Sequence, residues 1–174
     1  MKNFNKVMVI AAHPDDDILG CGGTLNKLKR QGADVRVVFI AEGTTCRYPN
    51  PEYYDQKIIK SQIKHRSDCG IKALQKLGVD NYVFHDLPCG KLDQEPVINI
   101  GKIIEREIRQ YEPDVIFTHS KSDVNKDHQI VYQATLQSTR PGALNNVNFL
   151  LTYEVLSSSE WNFTDPFAPN FFVE

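Results

Sequence analysis

The amino-acid sequence predicts an α/β fold, with a Rossmann-like, mostly parallel sheet flanked by helices in a three-layer α/β/α arrangement. Three observations predict this class. Short, continuous apolar runs recur along the chain, helical patterns of apolar residues lie between them, and 174 residues fit one domain comfortably. Continuous apolar runs are typical of strands buried on both faces of a parallel sheet, and alternating strands and helices favour right-handed crossovers.

Five apolar runs are predicted to form the strands of this sheet. They are rich in β-branched and aromatic residues, which suit a pleated and buried surface. The run around Val83 is the weakest of the five. The predicted strands are residues 7–10, 35–40, 82–84, 115–118 and 149–153.

Four segments carry apolar residues at helical spacing. Gly32 follows the first segment, as glycine commonly does after a helix, and the third ends before Pro113. The apolar stripe of the second includes Ile58. The predicted helices are residues 19–30, 55–77, 97–111 and 127–138. Residues 157–174 are rich in aromatic residues, proline and asparagine, which predicts an extended tail.

Composition excludes several classes of protein. With 20 basic and 22 acidic residues the net charge is −2, so nothing in the charge balance favours nucleic acid or an anionic membrane as a partner. An apolar fraction of 41% and a charged fraction of 24% are unlike those of a disordered chain or a coiled coil. The four cysteines form no C-x-x-C pair, and we expect them to be reduced and mostly packed. No apolar stretch is long enough for a membrane span or resembles a signal peptide, which predicts a cytoplasmic protein.

Polar residues concentrate where the first predicted strand ends. His13, Asp15, Asp16 and Asp17 follow directly, and ligands of open α/β sheets bind beyond the carboxyl ends of the strands. Three adjacent carboxylates repel one another, and a bound cation would relieve the repulsion. His13 and Asp16 are three residues apart across a proline-stiffened turn, so both can reach one metal ion. The alternative is that the acidic residues only cap the next helix.

A second polar cluster follows the predicted strand 115–118 and runs from His119 to His128. It lies in a strand-to-helix loop, so it can face the first cluster at the same edge of the sheet. Two histidines and one carboxylate, with a fourth position open, are typical of catalytic zinc. Considered alone, His128 would be interpreted as a polar loop or cap residue.

Three motifs stand out in the chain: Ala12-His13-Pro14-Asp15-Asp16, Gly20-Cys21-Gly22-Gly23-Thr24 and Asn125-Lys126-Asp127-His128. Together they resemble the LmbE/PIG-L family of zinc-dependent deacetylases that act on N-acetylglucosamine-containing substrates. The resemblance implies one LmbE/PIG-L-like deacetylase domain over residues 1–174, with 157–174 as its tail. It also implies one zinc ion per chain.

The resemblance also implies roles for individual residues. His13, Asp16 and His128 would be the zinc ligands, and Asp15 would be the general base. Asp127 would orient the site, and Arg66 would contact sugar hydroxyls of the substrate. The general chemistry of amide hydrolysis agrees with these roles, because the reaction needs an activated water, a base beside the metal and stabilisation of the oxyanion.

The sequence departs from the family pattern in two respects. Many members have His-Pro-Asp-His where this chain has Asn125-Lys126-Asp127-His128. Asn125 can still donate a hydrogen bond to substrate but cannot carry a titrating proton, and His119 is a candidate to compensate. The chain is also shorter than most members, which indicates either a shortened chain or an unusually open pocket.

The leading hypothesis is a zinc-dependent hydrolase that removes an N-acetyl or other acyl group from an N-acetylglucosamine-type amino sugar or its conjugate. One alternative is a catalytically impaired, metal-containing sugar-binding protein. Another is a Rossmann-like nucleotide-binding module, in which Gly20, Gly22 and Gly23 would have to cradle phosphate. Histidine and aspartate ligands do not decide between Zn²⁺, Fe²⁺ and Co²⁺, and a homo-oligomer is left open.

Overall fold

A computed structural model describes residues 4–48, 50–142 and 147–173. Within them, five parallel strands form one sheet in the order β3-β2-β1-β4-β5. The strands are β1 (Lys6–Ala11), β2 (Asp34–Ala41), β3 (Asn81–Leu87), β4 (Val115–His119) and β5 (Phe149–Tyr153). The predicted fold class is confirmed, and each predicted run lies within one of these strands. The domain limits of 1–174 stay a prediction.

Four helices connect the strands: α1 (Asp16–Arg30), α2 (Gln56–Lys76), α3 (Val97–Tyr111) and α4 (Lys126–Thr139). Helix α1 begins three residues before the predicted start because two aspartates occupy its first turn, where the helix dipole favours negative charge. In α2 the broad apolar stripe was overestimated, since Ile59 and Leu74 are buried but Ile58 is 55% exposed. None of the described helices is both long and apolar enough to cross a membrane.

The sheet is covered on both faces, and the central strand β1 shows how. Val7 and Val9 face a core that includes Leu25 of α1 and Leu74 of α2. Met8 and Ile10 face the other core, which includes side chains of α3 and α4. Burial on both faces explains why β1 is a continuous apolar run without alternation.

The order of the strands determines where a ligand can bind. The chain first winds from β1 through β2 to β3, and then crosses back to place β4 on the other side of β1. The crevice at this reversal lies between the carboxyl ends of β1 and β4. His13 follows β1 and His119 ends β4, so both polar clusters found in the sequence meet there.

The glycine-rich stretch lies inside α1 rather than in a loop. A Cβ at Gly20 would lie 2.2 Å from the ring of Tyr153 in β5, so glycine allows the helix to pack on the sheet there. Gly22 would make only an ordinary contact, and Gly23 has no neighbour within 4 Å. Close packing of the helix on the sheet therefore explains Gly20 alone, and these residues do not form a phosphate-cradling loop.

Two other expectations are corrected or narrowed. Cys21 and Cys89 are buried but Cys46 and Cys69 are exposed, so the prediction of mostly packed cysteines is half wrong. The predicted tail is not extended throughout, because a 3₁₀ turn forms at Ser159–Trp161 and Ser159 is fully buried. Its residue 174 lies outside the described residues.

Candidate metal and active site

Three buried side chains converge at the crevice between β1 and β4. His13 follows β1, Asp16 opens α1, and His128 lies in the first turn of α4. The Nδ1 atom of His13 and the Nε2 atom of His128 each lie 3.3 Å from the same Oδ2 atom of Asp16. The structure thus brings together the three residues that the sequence analysis proposed as metal ligands.

The second nitrogen of each histidine is held by a carboxylate. His13 donates from Nε2 to Asp127 at 2.9 Å, and His128 donates from Nδ1 to Asp123 at 2.8 Å. Such carboxylate–histidine pairs fix the ring orientation and the tautomer of metal-binding imidazoles. His13 Nδ1 and His128 Nε2 are therefore the nitrogens that remain to face Asp16.

Electrostatics within the cluster are dominated by the carboxylates. Burial lowers the pKa of His13, but hydrogen bonds to Asp127 and Asp16 outweigh it and raise the pKa to about 12. The same balance, with Asp123 and Asp16 as partners, raises the pKa of His128 to about 9. Burial opposes charge on Asp16 as well, yet the two histidines hold its pKa far below the ordinary value. The cluster therefore favours positive charge between its three donors.

The spacing of the donors fits one metal ion. Zinc binds imidazole nitrogen and carboxylate oxygen at about 2.0–2.2 Å, so donors at tetrahedral angles lie roughly 3.3–3.5 Å apart. Both distances to Asp16 Oδ2 are 3.3 Å. In addition, the buried Nε2 atom of His128 makes no well-aligned hydrogen bond to a described residue, although it lies 3.3 Å from Asp16 Oδ2, so it is left to bind a metal. The residues present thus fit a zinc-type site.

Asp15 lies beside this group and is held by a distant arginine. Arg66 of α2 donates from Nη2 to Asp15 Oδ1 at 2.9 Å, and the Asp15 side chain is 46% exposed. Burial and the neighbouring Asp16 raise the pKa of Asp15, whereas Arg66 opposes the rise. A carboxylate that is accessible and partly desolvated suits a general base. The predicted contact of Arg66 with sugar stays a prediction; in the structure its partner is Asp15.

Gly43 determines where Arg66 can lie. The φ angle of Gly43 is +71°, and a Cβ there would lie 2.5 Å from Arg66 Nε. Because side-chain-bearing residues seldom adopt this conformation, only glycine allows both the turn after β2 and the close approach of the guanidinium.

Asp127 and Asn125 occupy the start of α4 in different ways. Asp127 accepts hydrogen bonds from the N–H groups of Gly90 at 2.6 Å and Leu92 at 3.2 Å, besides that from His13. It therefore ties the loop after β3 to the candidate metal site. Asn125 caps α4, with its Oδ1 accepting from the N–H of Asp127 at 3.0 Å. The predicted role of Asn125 in substrate binding stays a prediction.

Sequence reasoning missed Asp123 and could not place His119. Asp123 lies in the same polar loop, and its position five residues before His128 was the available clue. His119 is fully buried and stacks on His128, with ring centroids 4.0 Å apart. Its Nε2 accepts from Ala12 N–H at 2.9 Å, and burial lowers its pKa to about 3. His119 therefore supports the His128 ring and is not available to replace the titrating proton that Asn125 lacks.

The three carboxylates after His13 have separate environments. Asp16 is the only one of them in the groups of side chains that could hold a metal among the described residues. Asp17 is fully buried, and burial raises its pKa to about 7. The idea that one cation relieves all three charges is therefore too simple, because Asp15 and Asp17 belong to none of these groups.

The chain is similar to known proteins in sequence and in fold. The sequence profile of a family described as "PIG-L: GlcNAc-PI de-N-acetylase" matches residues 8–139, more than half of the chain. A probable N-acetyl-alpha-D-glucosaminyl L-malate deacetylase 2 from Bacillus cereus is 29% identical over 76% of this chain. The match covers 60% of that relative, so the chain spans about three fifths of its length.

Solved structures show the same fold at lower identity. The N,N′-diacetylchitobiose deacetylase of Pyrococcus horikoshii matches with a TM-score of 0.67 and 23% identity, over 79% of this chain and 50% of that chain. GalB, a 4-carboxy-2-hydroxymuconate hydratase from Pseudomonas putida, matches with a TM-score of 0.60 and 20% identity, over 80% of this chain and 59% of that chain. Since one fold holds a deacetylase and a hydratase, the fold alone does not specify the reaction.

Proposed function

Because the chain belongs to the PIG-L family, we propose that it is a zinc-dependent hydrolase that removes an N-acyl group from an N-acetylglucosamine-type amino sugar or its conjugate. One observation carries the proposal: His13 Nδ1 and His128 Nε2 each lie 3.3 Å from Asp16 Oδ2, and Asp15 lies beside this group. The names of the matching family and of the Bacillus cereus relative, which concern N-acetylglucosamine compounds, support the substrate class. One zinc ion per chain and a cytoplasmic location are parts of the same proposal.

When bound, zinc would act as a Lewis acid toward the acyl oxygen and make water a stronger nucleophile. Asp15 would accept the proton of the attacking water and later deliver it to the departing amine, so that the leaving group is neutral. Arg66 keeps Asp15 oriented and ionised through the 2.9 Å contact. Asp127 and Asp123 fix the rings of His13 and His128 and leave one nitrogen of each free to bind.

A second candidate is a metal-containing sugar-binding protein with impaired catalysis. The structure offers one specific observation in its favour. Asn125 cannot titrate and caps a helix, and His119 is buried with its ring nitrogen accepting a main-chain N–H. Asp15 would then have to serve as both base and acid without help from either residue.

Metal analysis followed by a release assay tests the proposal. We expect one zinc per chain in the wild type and a loss of zinc in His128→Ala, because that variant lacks a donor. His65→Ala removes an imidazole from the exposed face of α2 and should keep the metal. Zinc-loaded wild type should then release acetate from some member of a panel of N-acetylglucosamine conjugates.

The outcomes separate the two candidates. Zinc retention with sugar binding and no acetate release on any conjugate would favour the binding protein. No metal in the wild type after zinc is added back would refute both.

A further inference from the structure

Two cysteines that are distant in sequence lie side by side next to the candidate metal site. Cys46 is in the 3₁₀ turn Thr45–Arg47 after β2, and Cys89 is in the loop after β3. Their Sγ atoms are 2.6 Å apart across 43 positions of sequence. Cys46 is exposed and Cys89 is buried, so the pair lies at the boundary between the surface and the interior.

The main chain holds these two loops together independently of the sulfurs. The buried carboxylate of Glu42 accepts hydrogen bonds from Thr44 N–H at 2.6 Å and Cys89 N–H at 2.9 Å. It also accepts from Thr45 N–H at 3.1 Å, so one carboxylate anchors both segments. A Cβ at Gly90, where φ is +72°, would lie 2.8 Å from the Cβ of Cys46. The proximity of the thiols is therefore built into the backbone.

We propose that Cys46 and Cys89 form an oxidisable dithiol, which closes to a disulfide that locks the loops after β2 and β3 at the edge of the candidate metal site. A disulfide has an S–S length of about 2.05 Å, so the sulfurs need to approach by only roughly half an ångström. With hydrogen peroxide as oxidant, the two thiols lose two protons and two electrons. An S–S bond forms, the O–O bond breaks and two molecules of water leave.

The location gives the disulfide a consequence for the site. Sγ of Cys89, a ring nitrogen of His13 and a carboxylate oxygen of Asp127 all lie within 4.8 Å of one another. The next residue, Gly90, donates its N–H to Asp127. Oxidation therefore restrains the segment that holds Asp127 in place behind His13.

The experiment uses the Cys69→Ser chain, because Cys69 is exposed and could cross-link two molecules. The protein is treated with hydrogen peroxide, denatured, and labelled with a maleimide. Before labelling, we expect a mass about 2 Da below the reduced chain, because the disulfide has lost two hydrogens. After labelling, we expect one modified thiol, at Cys21, and a peptide in which Cys46 is joined to Cys89. The melting temperature should rise by about 5–15 °C, as the loss of unfolded-state entropy in a loop of this length predicts. Dithiothreitol should restore the mass of the reduced chain and return the melting temperature to its starting value.

Two matched variants and two contrary results make the test decisive. Cys46→Ser and Cys89→Ser, each in the same background, should show no rise in melting temperature after peroxide. Oxygen addition to Cys46 without a cross-link would refute the proposal. So would a second zinc ion in the reduced chain that is lost in Cys46→Ser, because the thiols would then belong to a metal site.

Discussion

Replacing Gly43 by alanine tests the arrangement that holds the proposed general base. The new Cβ would lie 2.5 Å from Nε and 3.2 Å from Cδ of Arg66, so the arginine has to move. Movement of Arg66 breaks its 2.9 Å contact with Asp15. The variant therefore disturbs the contact of Asp15 while both the Asp15 carboxylate and the Arg66 guanidinium remain in the chain.

Gly32→Ala is the matched control for the free-energy cost of placing alanine at a positive φ angle. Gly32 also has a positive φ, +89°, but no atom lies within 4 Å of its Cβ position. Placing alanine at positive φ costs about 1–2 kcal/mol, which both variants should lose. Gly43→Ala should lose roughly a further 1–3 kcal/mol, from repacking of Arg66 and the broken, partly exposed ion pair.

Urea unfolding and the pH dependence of turnover measure the two effects. Arg66 opposes the rise in the pKa of Asp15 that burial and Asp16 cause. Its displacement should therefore raise that pKa further and move the acid limb of the turnover profile upward, by less than about one pH unit. Equal losses of stability in Gly43→Ala and Gly32→Ala, with an unmoved acid limb, would refute the reasoning.

Three further predictions follow from the same geometry. Asp15→Asn should keep zinc but lower turnover by about 10²–10⁴-fold, and turnover within threefold of wild type would place the base elsewhere. Asp123→Asn should weaken zinc binding about 10–100-fold at pH 9 in a chelator competition assay, whereas Asp114→Asn, whose carboxylate accepts two N–H groups far from the site, should not. The folded-state pKa of His128 is raised from 6.5 to about 9, so its contribution to stability is present below pH 6.5 and lost as the pH rises through 9. The metal-free chain should therefore melt at lower temperature as the pH rises over this range, and a similar slope in metal-free His128→Ala would contradict the assignment.

Sequence reasoning could predict the elements because their cause is local. A strand covered on both faces needs continuous apolar residues, and β1 shows this in its run from Val7 to Ile10. Errors arose where a residue had two roles. For Asp16 and Asp17, the polar cluster and the start of a helix were treated as alternatives, whereas both residues lie in the polar cluster and also form the first turn of α1.

The site was predictable in part for a topological reason. Residues that follow parallel strands lie at one edge of the sheet, so His13 and His128 could be placed near each other without coordinates. Their partners could not be identified in this way. Asp123 is one of several polar residues in its loop, and only the folded loop shows that its carboxylate accepts from His128.

The sequence by itself determined the fold class, the helix and strand segments, and the two clusters that carry the chemistry. Those features depend on burial patterns and on the order of elements along the chain. Tertiary structure alone decided which nitrogen of each histidine faces Asp16, that Arg66 holds Asp15, and that Cys46 meets Cys89. These contacts join residues that are far apart in sequence, and their distances depend on how packed loops approach one another.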